Sequence, residues 1–200
     1  MINRFIRFIT PAIQRKFDML RKRTVFPYIL PGSVGAEIGV WKGDFSLSIL
    51  NKIPVKKLYL IDPWKCIEDP KYFNAMYGPR RIQRDLDAMH DFVHERFRKQ
   101  IQSGTVKIIR NFSNAGLDSI QDNSLDWVYI DGDHSYAQVL EDLHKSFEKI
   151  IPGGYLLGDD YTEKGWWKDG VIKAVKEFCN SSPVSLILIK NRQYVIRKKL

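Results

Sequence analysis

Hydrophobic and polar positions along most of this chain follow two periods. Short apolar runs recur, and most end in a polar residue, as buried strands of a sheet do. Between several of these runs, apolar residues return every three or four positions, which is the spacing of an amphipathic helix. The pattern predicts strands at residues 33–38, 57–61, 106–109, 125–130, 155–157, 184–189 and 194–196, and helices at residues 45–50, 135–150 and 171–178.

The order of these elements predicts the fold class. Strands that alternate with helices imply a doubly wound, Rossmann-like α/β fold with a mostly parallel sheet covered on both faces. The last two strands are joined by residues 190–193, too few for a crossover helix, so they must form an antiparallel hairpin. We also expect Pro152-Gly153-Gly154 to form a turn before the fifth strand.

Length and composition set the domain organisation. A chain of 200 residues, 44% of them hydrophobic, can bury one substantial core, which excludes wholesale disorder. We assign one domain to residues 27–200, with an insertion at about residues 64–104, and an extension to residues 1–26. Two distant cysteines support neither a disulfide framework nor a zinc site. Without a membrane-spanning run or a convincing signal peptide, the expected location is cytoplasmic.

The positive charge is concentrated in the extension. Residues 1–26 carry +6 of the formal net charge of +9. Apolar residues recur there at helical spacing, and the segment bends or stops near Pro11. A terminal helix packed on the domain is the favoured interpretation, and peripheral contact with an anionic membrane stays open. Basic residues without a recognition module argue against a nucleic-acid partner, and a homo-oligomer stays open.

The turn after the first strand is the first candidate binding site. It reads Glu37-Ile38-Gly39-Val40-Trp41-Lys42-Gly43 and lacks the G-x-G-x-x-G fingerprint of dinucleotide sites. Bulky Trp41 in this turn favours a ligand without phosphates, such as S-adenosyl-L-methionine. Glu37 could then face its amino group, and Asp62, after the second strand, could accept from its ribose hydroxyls. An ordinary glycine turn is the alternative.

Carboxylates follow two further strands. Asp131 ends the fourth strand, and Asp159 and Asp160 end the fifth. If these strands are adjacent, about 4.8 Å apart, the carboxylates converge, and hard oxygen ligands suit Mg²⁺. The alternative is that the acidic residues cap the following helices. Trp166 and Trp167 could form a lid or stack on a sugar ring, and packing on the core is the equal alternative.

The segments AEIGVWKGDFS, LYLIDPW, DWVYIDGDHSY and GGYLLGDDY resemble the macrocin O-methyltransferase-like group of class I S-adenosylmethionine-dependent methyltransferases. The resemblance covers about residues 33–197 and implies a seven-stranded fold whose last strand is antiparallel. It also implies a divalent metal, expected to be Mg²⁺, on Asp131, Asp159 and Asp160. The implied base lies three residues beyond Asp131, so Asp131 and His134 are the candidate catalytic residues.

The resemblance matches cofactor positions to Glu37, Gly39, Asp62 and Ser113. With their neighbours in the same turns, the candidate cofactor residues are Glu37, Gly39, Val40, Trp41, Gly43, Asp62, Pro63, Ser113 and Asp131.

The leading functional hypothesis is a metal-assisted O-methyltransferase that acts on a hydroxyl of a sugar, polyol or other small metabolite. A histidine at position 134 is similar to the macrolide-sugar enzymes, whereas the catechol enzymes have lysine. The turn IDGDH after the fourth strand differs from the Pro-Pro-aromatic turn of base and amide N-methyltransferases. A nicotinamide-dependent oxidoreductase and a non-catalytic, membrane-peripheral binding protein are the alternatives.

Overall fold

A seven-stranded sheet forms the centre of the protein, and the computed structural model describes residues 11–200. The strands are β1 (Val34–Ile38), β2 (Lys57–Ile61), β3 (Val106–Ile109), β4 (Leu125–Ile130), β5 (Ile150–Gly158), β6 (Val184–Lys190) and β7 (Gln193–Lys198). The helices are α1 (Pro11–Val25), α2 (Asp44–Lys52), α3 (Gln83–Arg96), α4 (Arg98–Gln102), α5 (Ser113–Asp118), α6 (Tyr136–Lys149) and α7 (Gly170–Ser181). Short 3-10 turns occupy Phe26–Tyr28 and Pro70–Tyr72.

The strand order is β3-β2-β1-β4-β5-β7-β6. Strands β1 to β5 are parallel, and β7 runs antiparallel to both β5 and β6. This confirms the predicted class: a mostly parallel, doubly wound sheet with a C-terminal antiparallel hairpin. The order reverses between β1 and β4, and in such sheets ligands bind outside the carboxyl ends of the strands at the reversal point.

Successive residues of β4 enter two different apolar clusters, one on each face of the sheet. Val128 and Ile130 pack with apolar residues of α6 and α7, whereas Trp127 and Tyr129 pack with those of α2 and α3. A central strand buried on both faces explains why its sequence is almost continuously apolar. Both clusters hold the carboxyl end of β4 rigidly, and the candidate site residues follow that end.

The predicted turn at Pro152-Gly153-Gly154 is wrong. These residues lie inside β5, which starts at Ile150 directly after α6. Between two successive pairs with β4, β5 advances from Ile150 to Tyr155 while β4 advances only from Leu125 to Trp127. The extra residues form a bulge, and the positive φ of Gly153, +83°, provides the backbone freedom that it needs.

Helix α1 covers the carboxyl end of the sheet. Thr24, near its end, accepts a hydrogen bond of 3.0 Å from Asn191 in the β6–β7 turn. The described part of the predicted extension therefore packs on the domain, and the helical pattern expected over residues 1–10 lies outside the described residues. Among residues 11–200, no helix combines the length and the apolar character that a membrane span requires. Cys66 and Cys179 are free thiols.

Candidate active site

The glycines of the β1–α2 turn let two backbones meet at the reversal point of the sheet. Gly39 has a φ of +83°, and a Cβ there would lie 2.1 Å from the carbonyl oxygen of Asp131. Its amide donates to the carbonyl of Ile61 at 2.9 Å. Gly43, with a φ of +73°, directly precedes α2, and a Cβ there would lie 2.6 Å from the ring of Phe97. The turn is thus a narrow backbone cradle between β2 and β4.

Asp62 fixes the shape of this turn. Its Oδ2 accepts the amides of Val40 and Trp41, both at 2.9 Å, and its Oδ1 accepts the amide of Trp64 at 2.7 Å. Burial raises the pKa of Asp62, and the three amide bonds oppose this shift. A carboxylate has about four acceptor positions, so one stays available for a ribose hydroxyl. Pro63 is half-buried, directly beside Asp62.

The carboxyl group of Glu37 lies in the sheet under the turn. It is buried and accepts a hydrogen bond from the hydroxyl of Ser46 in α2. Burial raises its pKa to about 8, with the Ser46 bond opposing the shift, because an isolated carboxylate is poorly solvated inside the protein. An added ammonium group would compensate this loss, so Glu37 is suited to a cationic ligand group.

Ser113, at the start of α5, contacts a residue that the sequence pattern did not single out. Its hydroxyl donates to Oδ1 of Asp142 in α6 at 2.5 Å, and Gln138 donates to the same oxygen at 3.0 Å. Burial raises the pKa of Asp142 to about 7. The sequence did contain a sign of this role, because Asp142 is a carboxylate next to Leu143 among the buried residues of α6.

Within residues 11–200, seven buried side-chain atoms lack a hydrogen-bond partner, and Oδ2 of Asp142 and the hydroxyl of Tyr77 are two of them. Burial raises the pKa of Tyr77, as do the charges of Asp133, Asp142 and Asp62, so these groups share one region. Buried polar groups are nearly always satisfied in folded proteins. These two atoms are therefore candidate partners for a polar group of a ligand.

The acidic residues after β4 and β5 converge as expected for adjacent strands. Asp131, His134 and Asp160 each offer one ligand atom, and these atoms lie within 4.8 Å of one another. Asp159 is not in this group, and its carboxylate has other partners. Oδ1 accepts from the amide of Asp160 at 2.6 Å and from Gln193 at 2.5 Å. The expected metal set is therefore brought together only in part.

Two arginines occupy the same carboxylates. Arg21 of α1 bridges two strand ends, with Nη1 3.0 Å from Oδ2 of Asp131 and Nη2 2.5 Å from Oδ2 of Asp159. Arg192, in the β6–β7 turn, forms an ion pair with Asp160. With both guanidinium groups in place, the carboxylates already have cationic partners, so the site does not fit a divalent ion. The hydrophobic and polar pattern of the sequence did not indicate a role for either arginine, because in the sequence both resemble ordinary surface residues.

His134 lies at the mouth of this cluster as a neutral base. Burial lowers its pKa to about 4, so its ring is uncharged at neutral pH. Its Nε2 is 3.3 Å from Oδ2 of Asp160. We assign the proton to Nε2, where it faces the carboxylate, which leaves Nδ1 as the proton acceptor.

An aromatic wall stands beside His134. The Trp167 ring lies 4.6 Å from the His134 ring, and Trp166 packs edge-on against Trp167 at 5.9 Å and Tyr72 at 5.4 Å. Tyr72, in the insertion, also donates its hydroxyl to Asp133 at 2.5 Å. The insertion and the loop after β5 therefore meet beside the loop that carries the candidate base.

Comparison with solved structures finds the same fold in several methyltransferases. One is the N-methyltransferase NodS from Bradyrhizobium japonicum in complex with S-adenosyl-L-homocysteine. Its sequence is 14% identical, the alignment covers 94% of this chain and 88% of that chain, and the TM-score is 0.57. Another is precorrin-6y C5,15-methyltransferase from Geobacter metallireducens. Its sequence is 16% identical, the alignment covers 88% of this chain and 85% of that chain, and the TM-score is 0.57. A protein from Bordetella parapertussis described as a possible exported protein is 14% identical. The alignment covers 95% of this chain and 70% of that chain, and the TM-score is 0.59.

Sequence comparisons add a distant relative and a family. An uncharacterized protein of Acanthamoeba polyphaga mimivirus is 39% identical over 44 residues, which are 22% of this chain and 20% of that relative. The chain thus spans only about a fifth of the length of this curated relative. A family model of the methyltransferase domain matches residues 36–161, which include the last three residues of β1, the glycine turn and the acidic residues that follow β2, β4 and β5. The chain therefore belongs to the methyltransferase domain family.

Proposed function

We propose that this protein is an S-adenosyl-L-methionine-dependent methyltransferase that methylates a hydroxyl group of a sugar or a similar small metabolite. The observation that carries the proposal is the neutral, half-buried His134, whose Nε2 lies 3.3 Å from Oδ2 of Asp160. It follows Asp131 and Gly132, the loop that Gly39 contacts directly. A proton acceptor next to a cofactor-type turn is what transfer to a hydroxyl requires.

The residues around the β1–α2 turn fit S-adenosyl-L-methionine. The buried carboxyl of Glu37 suits its ammonium group, and Asp62 retains one acceptor position for a ribose hydroxyl. The unpartnered oxygens of Asp142 and Tyr77 suit polar atoms of the adenosine part. The close approach of Gly39 to Asp131 suits a ligand without phosphates, since the turn is narrow.

When bound, S-adenosyl-L-methionine supplies an electrophilic methyl group on a positively charged sulfur. The acceptor hydroxyl forms the new oxygen–carbon bond while the sulfur–carbon bond breaks, and Nδ1 of His134 takes the hydroxyl proton. Asp160 holds the imidazole through Nε2 and stabilises the imidazolium that results. Alignment of acceptor and donor, with exclusion of water, is the remaining contribution of the protein.

The aromatic wall supports a sugar-like acceptor. Trp166, Trp167 and Tyr72 offer flat apolar faces, while Asp133, Asp160 and His134 offer polar groups beside them. Sugars combine apolar ring faces with hydroxyl edges, so this pairing matches them. The identity of the base, histidine, points to the same acceptor class.

The test is methyl transfer from methyl-deuterated S-adenosyl-L-methionine to a panel of monosaccharides, glycosides, catechols and amines, followed by mass spectrometry. We expect labelled methyl on a sugar or polyol hydroxyl. His134→Gln should lower kcat by about 10²-fold to 10⁴-fold, because it removes the proton acceptor. His144→Gln is the matched control, since His144 is exposed on α6. Labelling confined to amines, or full activity in His134→Gln, would contradict the proposal.

A further inference from the structure

We propose that Arg21 is the resident cation of this active site: it takes the place that a divalent metal would occupy, and methyl transfer proceeds without a metal. The inference rests on the proposed function for its catalytic meaning. Its structural part, the competition between Arg21 and a metal ion for the same carboxylates, stands on the geometry alone.

The charges of the site require a cation. Asp131 and Asp159 follow adjacent strands, and burial together with the nearby Asp159 raises the pKa of Asp131. Arg21 opposes this shift. A buried carboxylate (Asp159) and a half-buried one (Asp131) so close together do not both stay ionised without a compensating positive charge. In this protein the charge comes from the guanidinium group that bridges them.

Arg21 is a permanent cation in this position. Although burial acts to lower its pKa, the surrounding Tyr129, Asp131 and Asp159 raise it above its ordinary value. The guanidinium packs over the ring of Phe45 at 5.6 Å. A guanidinium has five N–H donors, so two carboxylates do not exhaust it. It can therefore also stabilise negative charge that develops on an acceptor oxygen.

The helix that carries Arg21 contacts the β6–β7 turn at two positions, one before and one after Arg21 in the sequence. Thr24 binds Asn191 at 3.0 Å, and the guanidinium of Arg192 lies over the ring of Phe17 at 5.9 Å. Arg192 in turn pairs with Asp160. The β6–β7 turn thus links α1 to the carboxylates, so Arg21 is part of the folded site.

A divalent ion competes with this arrangement. Asp131, His134 and Asp160 lie close enough to hold one, but Oδ2 of Asp131 already contacts Nη1 of Arg21 at 3.0 Å. An ion on that carboxylate would bring two like charges within a few ångströms in a partly buried site, which is strongly unfavourable. Removal of Arg21 should therefore create a metal site from the residues that remain.

The experiment measures Mn²⁺ binding by electron paramagnetic resonance in the full-length wild type, Arg21→Met and Arg23→Met. Methionine keeps much of the stem of Arg21 but removes the charge, and Arg23 is exposed on the same helix. We expect no stoichiometric binding in the wild type or in Arg23→Met. Arg21→Met should bind one Mn²⁺ at least about tenfold more tightly, and Asp160→Asn in that background should abolish the gain.

Stoichiometric Mn²⁺ binding in the wild type overturns the proposal, and so does a folded Arg21→Met protein that binds none. Far-UV circular dichroism checks the fold. If Arg21→Met does not fold, the wild type and Arg21→Lys still test the proposal. Both keep a cation at position 21 and are expected to bind no Mn²⁺, so stoichiometric binding by either one contradicts it. Methyl transfer by the wild type should be unchanged by EDTA, and sensitivity to EDTA contradicts the inference. If no methyl transfer is found, the Mn²⁺ measurements still test the role of Arg21 separately from the proposed function.

Discussion

At the scale of residues, the site is a group of ionisable side chains with unusual protonation states. Glu37 and Asp142 hold their protons to about pH 8 and about pH 7, whereas His134 loses its proton above about pH 4. Burial is the largest cause in each case. Such shifts cost stability, and they cluster where a site must bind or transfer a charge.

Glu37→Gln tests whether the buried carboxyl group of Glu37 lowers the stability of the fold and, at the same time, strengthens ligand binding. Because the folded-state pKa of Glu37 is raised, the folded protein binds more protons than the unfolded chain between about pH 4.5 and pH 8, so the wild type loses stability as pH rises through this window. Glutamine cannot ionise. We expect the variant to match the wild type near pH 5 and to exceed its free energy of unfolding by ~4 kcal/mol near pH 9, since each unit of pKa shift is worth ~1.4 kcal/mol.

Urea unfolding at both pH values measures this difference. The exposed residue Glu148, changed to glutamine, provides the control and should show no such pH dependence. The same Glu37→Gln variant should bind S-adenosylhomocysteine about tenfold more weakly, since it loses the charge partner of the ammonium group. A stability difference that is constant with pH would show that Glu37 does not titrate in this window.

Several site residues were predictable from the sequence, and others were not. The positions of Glu37 and Gly39 followed from a glycine turn after a buried strand, and the structure brings both to the reversal point of the sheet. Arg21 was not predictable, because its contacts with Asp131 and Asp159 span 110 and 138 residues of chain. Sequence periodicity reports local structure, whereas such contacts depend on how α1 crosses the finished sheet.

At the scale of elements, two loops meet beside the loop that carries the candidate base. The 3-10 turn Pro70–Tyr72 in the insertion brings Tyr72 against Trp166 in the loop between β5 and α7. Gly170, at the start of α7, leaves only 2.9 Å for a Cβ beside the carbonyl of His134. The loop after β5 is therefore packed closely against the loop that carries the base.

Trp166→Ala tests the role of this loop. We expect the KM for the acceptor to rise about tenfold or more, because one wall of the pocket is lost, while the affinity for S-adenosylhomocysteine stays within twofold. Phe92→Ala serves as control, since Phe92 is an exposed aromatic residue on α3. Steady-state kinetics and calorimetry separate the two effects. Equal losses in acceptor and cofactor affinity would contradict a role limited to the acceptor.

The sequence predicted elements best where one period dominates. The bounds of β2, β3 and β4 match the expected residues because each is a short apolar run between polar residues. The prediction failed at β5, where proline and glycine usually signal a turn. Here the extra residues are absorbed in a bulge of a strand that starts directly after α6, an outcome decided by pairing with β4.

At the scale of the whole molecule, the sheet order explains why distant segments share one site. Reversal between β1 and β4 places the glycine turn next to the β4 loop, and β7 beside β5 brings Arg192 and Gln193 to Asp160 and Asp159. Helix α1 closes the same end of the sheet. The fold class and the terminal hairpin were predictable from element order, but the return of α1 over the site was not.

The most direct test of the account is a calorimetric titration of the full-length protein with S-adenosylhomocysteine and, separately, with NAD. We expect one S-adenosylhomocysteine per chain with a Kd of about 1–100 μM, and no binding of NAD. Gly39→Ala should weaken binding at least about 100-fold, because its Cβ would collide with the backbone of Asp131. Gly104→Ala, also at positive φ but with open space around it, should bind like the wild type. Binding of NAD in preference to S-adenosylhomocysteine, or unchanged affinity in Gly39→Ala, would contradict the central claim that this turn holds the methyl donor.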